Sequence, residues 1–245
     1  MGIAKDFNDV VHDQIKVHAA WLPVTNTYQV GDFGVISEGV FARMGNIRSD
    51  FGIDFQTNAG PPSQLDFKSA NVRVVRFTAG AEVNAFPDDA LEAKLRIEFG
   101  RERSFYLKAA LNVQELASVF EAARKIAVLP AWNEGKFKVV AATYTGQNCV
   151  VLSSRQNNTA IEIGGKADAL KKLELGGASA DFAWTANSTL GLEIMGQTGV
   201  IGLKLFQVKK KKGEAEFLTR GRPVRPEDLE ISDSSSWSAQ LPDDL

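Results

Sequence analysis

Two histidines, a single cysteine and one acidic fragment are the residues of this chain whose chemistry could serve catalysis or metal binding. His12 and His18 stand six apart, whereas two ligands on one helix need a spacing of three or four to face the same ion. No metal site is therefore expected. Cys149 lies in the apolar run Cys149-Val150-Val151-Leu152. A nucleophilic thiolate needs a base and an accessible, electropositive setting, so a buried and inert thiol is expected. Pro87-Asp88 followed by Glu92 and Lys94 has the P-D and E-x-K order of a metal-dependent nuclease. The gap is too short to put the aspartate on one strand and the E-x-K on the next, and a polar turn accounts for it. G-x-S-x-G, S-x-x-K and H-E-x-x-H are absent. The glycines at 31, 34, 39, 45 and 52 match neither a dinucleotide fingerprint nor a phosphate-binding loop. The reading is of a chain with no catalytic residue, no metal and no cofactor.

What remains is electrostatic. Arg96, Arg101, Arg103 and Lys108 cluster along one stretch with Phe105 and Tyr106 among them, and Lys209, Lys210, Lys211 and Lys212 form a run. These eight are the candidate basic surface. Nucleic acid is disfavoured as its partner, since the pI is about 5.8 and no nucleic-acid motif is present. Anionic lipid is a second partner, each lysine or arginine near such a surface contributing about 1 kcal/mol. The opposite charge is in the chain itself. Residues 213–245 hold Arg220, Arg222 and Arg225 against eight carboxylates, while the whole chain is only −2. A mildly basic body thus carries an acidic tail.

The elements that must position these groups read as α+β: mostly antiparallel, twisted sheet with an N-terminal amphipathic helix, a central helix packed on the sheet, and a C-terminal tail. At 245 residues and 44% hydrophobic, the chain can bury a core, expected as one domain over 1–212. No apolar run reaches about 18 residues and there is one cysteine, which fits a soluble protein of a reducing, cytoplasmic compartment. Ile3, Phe7, Val11, Ile15 and Ala19 recur every four residues, which predicts a helix over 3–20. Leu95, Ile97 and Phe99 alternate with polar residues, as do Phe105, Leu107 and Ala109 beyond Gly100, which predicts a hairpin at the hub of the fold. Asn112 with Glu115 predicts the cap of the following helix. Trp132 is expected to anchor the return. Residues 136–144 and 149–153 are expected as a hairpin across Gly146-Gln147-Asn148, and residues 190–195 and 200–208 as separate strands.

The tail, with Pro223, Pro226 and Pro242, has no core of its own, yet Phe217, Leu218, Leu229, Ile231 and Trp237 make it apolar enough to dock. The function expected is a non-catalytic binding or assembly module. It acts through a protein partner or self-assembly, with the acidic tail as a docking or regulatory segment and Arg220, Arg222 and Arg225 as exposed cleavage points. The alternative is a membrane-acting, pore-forming effector kept soluble by the tail and released by proteolysis. In general plan, a twisted sheet with a short inhibitory tail, this alternative resembles the bacterial gasdermins. The N-terminal cysteine that some of them carry for lipidation is absent here.

Overall fold

The computed structural model describes residues 2–37, 39–87, 90–132, 136–174, 182–186, 190–208 and 229–232. The chain is α+β, and its strands form two antiparallel sheets. In order it runs α1 (Ile3–Ile15), β1 (His18–Ala19), β2 (Asp32–Ser37), β3 (Val40–Asn46), α2 (Ile47–Phe51), β4 (Thr57–Ala59) and β5 (Ser63–Lys68). Then follow β6 (Val72–Thr78), β7 (Ala81–Val83), β8 (Ala93–Phe99), β9 (Phe105–Leu116), α3 (Val119–Ala127) and a 3-10 turn at Pro130–Trp132. Last come β10 (Lys138–Ser154), β11 (Thr159–Gly165), α4 (Ala167–Glu174), β12 (Phe182–Ala186), β13 (Leu190–Val208) and β14 (Leu229–Ser232). The larger sheet has the order β1-β13-β10-β2-β3, with β9 beside β10; the smaller has the order β12-β11-β8-β6-β7.

Packing divides the chain into two compact units, each gathered from separate stretches of sequence. The first holds residues 62–111 and 146–199. There β8 turns Ala93, Leu95, Ile97 and Phe99 inward, and Ile97 lies in register between Val74 of β6 and Ile161 of β11. α4 lays Ala167, Leu170 and Leu173 on this core, which Tyr106, Val150 and Leu152 complete.

The second unit holds, among the described residues, 2–61, 112–145, 200–208 and 229–232. Its β2–β3 hairpin shifts register at Phe33/Gly34, where a Cβ on Gly34 would stand 2.0 Å from the Ala42 carbonyl oxygen. Only glycine lets the two backbones come so close. Asp32, fully buried, accepts from the Gln29 N–H at 2.8 Å and Asn46 Nδ2 at 2.9 Å and pairs with Arg43 Nε at 3.0 Å, which ties the base of the hairpin. α3 presses Ala122, Ala123, Ile126 and Ala127 onto Phe33, Ile47 and Val139.

The hairpin expected at the hub does not form. β8 pairs with β6 and β11, whereas β9 pairs with β4, β5 and β10, so the chain changes sheets across residues 100–104. Period-two alternation shows that a strand has a dry face, not which neighbour takes its hydrogen bonds. Local polar groups hold the crossing: Arg103 adopts a φ of 56° and its N–H donates to the Ser154 carbonyl at 2.9 Å, while Ser104 Oγ donates to the Arg101 carbonyl at 2.8 Å.

The central helix also starts later than Asn112. Residues up to Leu116 stay in β9, where Leu111 and Val113 are buried between exposed Asn112 and Gln114. The cap is Ser118, whose Oγ accepts from the Glu121 N–H at 3.1 Å. Both tetrads fit the capping pattern, and only the second is free of a competing strand. Ser118→Ala is expected to cost about 1 kcal/mol, read as a lower urea midpoint at unchanged m-value. No loss beyond error would mean that the cap is replaced by water.

Three further expectations change. α1 ends at Ile15, where Lys16 turns left-handed, so His18 lies on β1 and not on the helix that carries His12. The hairpin expected across 146–148 is one continuous strand, β10, and the two strands expected at 190–195 and 200–208 are one, β13. Each contains a single residue of positive φ, Asn148 at 47° and Gly196 at 75°. One such residue bends a strand, whereas a type I′ reversal needs two in succession. The bends are neighbours, since Asn148 N–H donates to Thr198 Oγ1 at 3.2 Å and Cys149 Sγ to the Gln197 carbonyl at 2.9 Å.

Candidate functional site

Residues 200–208 of β13 read Val-Ile-Gly-Leu-Lys-Leu-Phe-Gln-Val, an almost unbroken apolar run. Such a run is what a strand covered on both faces requires. Leu203 and Leu205 pack with Ala20, Phe41 and Val140, while Phe206 and Val208 pack with Ile126, Trp132 and Val139. Side chains therefore give this strand no choice of position. Its backbone is satisfied by pieces of chain remote in sequence.

β1 pairs antiparallel with it, His18 opposite Leu203 and Ala19 opposite Gly202. The Ala20 N–H donates to the Ile201 carbonyl at 2.8 Å, and the Val200 carbonyl accepts from the Val24 N–H and Asn26 Nδ2, both at 3.1 Å. Immediately beyond, β14 pairs with residues 205–208, Leu205 opposite Ser232 and Val208 opposite Leu229. A short strand of the acidic tail thus occupies a strand that is apolar on both faces. Open backbone groups on such a strand are a template for any other extended segment.

Leu229 and Ile231, expected to dock, fall in β14, in register with Val208 and Phe206. Phe217, Leu218, Trp237, Arg220, Arg222, Arg225 and the four lysines Lys209, Lys210, Lys211 and Lys212 lie outside the described residues. The remaining basic residues belong to the first unit, and the two on strands are matched by carboxylates. Arg96 Nε lies 3.0 Å from Glu98 and its Nη1 3.7 Å from Glu162, while Lys108 is ion-paired with Asp66. Arg101 and Arg103 sit together in the crossing at 100–104. Residues 205–208 of β13, which receive the tail strand, belong to the second unit.

Among the described residues no group of three or more His, Cys, Asp or Glu is placed to hold a metal, and Asp88 of the nuclease-like fragment lies outside them. Cys149 is buried, and burial pushes its thiol up to about 11, far from a thiolate at neutral pH. What sequence reasoning missed is the share of residues 18–26 in covering β13. The signal was the short apolar piece His18-Ala19-Ala20 after the helix, which the four-residue period absorbed as another turn. No protein-family model matches the sequence, and no curated protein matches it.

Proposed function

We propose that the chain is a non-catalytic assembly module in which residues 205–208 of β13 receive an extended strand from a protein, a second copy of this chain included. In this reading segment 229–232 occupies the place in cis until displaced. The observation that carries it is the antiparallel pairing of β14 with β13. Magnitudes favour exchange. Each backbone hydrogen bond contributes about 1 kcal/mol net, and ordering each of the residues costs about 1–2 kcal/mol. A pairing four residues long is close to balance, so an incoming strand of similar sequence competes with it.

Ile231→Pro in the full-length chain tests this, because proline resists strand pairing. Amide exchange of the peptide covering 200–208 is expected to rise, and the chain to self-associate by light scattering. A synthetic peptide carrying residues 227–234 is expected to restore the protection. Unchanged exchange in the variant, or exchange that the peptide does not restore, would remove the proposal.

A membrane-acting reading draws on strand length. β9, β10 and β13 have 12, 17 and 19 residues, enough for the roughly 9–11 that a spanning strand needs. Lipid-facing strands alternate apolar and polar residues. β9 does so beyond Leu107, whereas β10 is buried on both faces over 138–143 and 149–154 and the second half of β13 is largely buried on both faces. The pattern therefore favours strand docking, and dye release from anionic vesicles by Ile231→Pro would reverse that preference.

A further inference from the structure

The first unit contains an open cavity of about 560 Å³, within the range of small-molecule sites. β5, β6, β9 and the end of α4 line it, and its charged groups are almost all used on one another. Arg76 Nη2 lies 2.5 Å from Glu174, and Lys108 is ion-paired with Asp66, its direct cross-strand partner. Between these two pairs stands Tyr106.

Tyr106 is 2% exposed, yet it lines the cavity; no hydrogen bond of its hydroxyl is found among the described residues, and that oxygen is not among the fully buried atoms without a partner, so it opens on the cavity. Burial, with the Glu174 and Asp66 carboxylates adding to it, pushes the phenol pKa well above its ordinary value of 10. The group is therefore a standing O–H donor that lacks an acceptor. Its cross-strand partner in the β5–β9 register is Lys68, exposed at the cavity mouth and without an ion-pair partner among the described residues. Directly opposed residues of an antiparallel pair place their Cβ atoms about 5 Å apart on one face. One neutral donor and one cation thus stand side by side, with the other charges cancelled and Val74 supplying apolar wall.

We propose that Tyr106 and Lys68 form a binding site for the carboxylate of a small organic monoanion, whose apolar body lies against Val74. A single uncancelled cation matches a single negative charge. Inorganic phosphate is disfavoured, because its second negative charge would find no second uncancelled cation.

The test uses the full chain with benzoate, hexanoate, neutral benzamide and inorganic phosphate as probes, followed by ligand-observed NMR titration. Benzoate or hexanoate is expected to bind, benzamide at least about tenfold more weakly. Tyr106→Phe and Lys68→Gln are each expected to weaken carboxylate binding by about tenfold or more, as for loss of a hydrogen bond to a charged group. Lys166→Gln, a lysine outside this cavity, should leave it unchanged. Tyr106→Phe should melt no lower than the parent, because the hydroxyl it removes has no partner in the fold. Absence of binding by both carboxylates, equal affinity for benzamide, phosphate binding as tightly as benzoate, or full binding by Tyr106→Phe would each overturn the proposal.

Discussion

Trp132→Ala is expected to lower stability by about 3–5 kcal/mol, the range for removing a large aromatic from a packed core. Trp132 is 2% exposed, and its ring centroid lies 5.3 Å from Phe33, 5.5 Å from Phe51 and 5.2 Å from Phe137. Those rings come from β2, α2 and the segment leading into β10, so the indole joins three parts of the second unit. No single neighbour can move to fill the space without breaking its contacts with the others. Trp132→Phe should cost much less, because phenylalanine keeps ring contacts and removes an indole N–H that has no hydrogen-bond partner among the described residues. Urea denaturation of the two variants measures the difference. Equal losses would show that the indole's size alone matters, and a loss under about 1 kcal/mol in the alanine variant would show that the cluster collapses around the gap.

Acid is expected to destabilise the fold through His18. This residue is 2% exposed on β1, and burial pushes its imidazole from 6.5 down to about 4, with His12 adding to the push and the Gly39 backbone opposing it. The folded chain therefore holds His18 neutral where the unfolded chain has already protonated it. Above pH 6.5 both states are neutral and the residue contributes no pH dependence. As pH falls from 6.5 the unfolded state binds the proton first, and stability drops until about pH 4, where the full loss is about 3 kcal/mol. His18→Phe removes the titration. The difference in urea midpoint between pH 7 and pH 4.5 should be clearly smaller for the variant than for the parent. An identical difference would place the acid sensitivity in other groups. Because β1 lies on β13 immediately before the residues that receive β14, the same protonation is expected to raise amide exchange over 200–208.

Much of the local architecture was legible in the residues. Alternation in Leu95-Ile97-Phe99 and Phe105-Leu107-Ala109 marked strands with a dry face, and Ile3, Phe7 and Val11 marked α1. These signals survive because burial on one side imposes its period on the sequence wherever the partner comes from. Glycine and asparagine were less informative. Gly39 does turn the β2–β3 hairpin, but Gly196 and Asn148 only bend strands that continue. A positive φ is a local demand, and whether the chain reverses there depends on what the next residues can pair with.

The candidate sites were hardly legible at all. Lys108 looked like a free cation because Asp66, which matches it, is more than 40 residues away in sequence, whereas Arg96 has its nearer partner, Glu98, only two residues on. Tyr106 and Lys68 meet only through the β5–β9 register, which no spacing encodes. By itself the sequence determined which residues must be dry, that the folded body is α+β, and that an acidic, partly apolar segment follows it. The tertiary structure alone decided that β8 and β9 belong to different sheets, that residues 18–26 and 229–232 share one strand as host, and which charges cancel. Burial periodicity is a property of each segment, whereas hydrogen-bond partners and ion pairs belong to contacts between segments that the chain brings together only on folding.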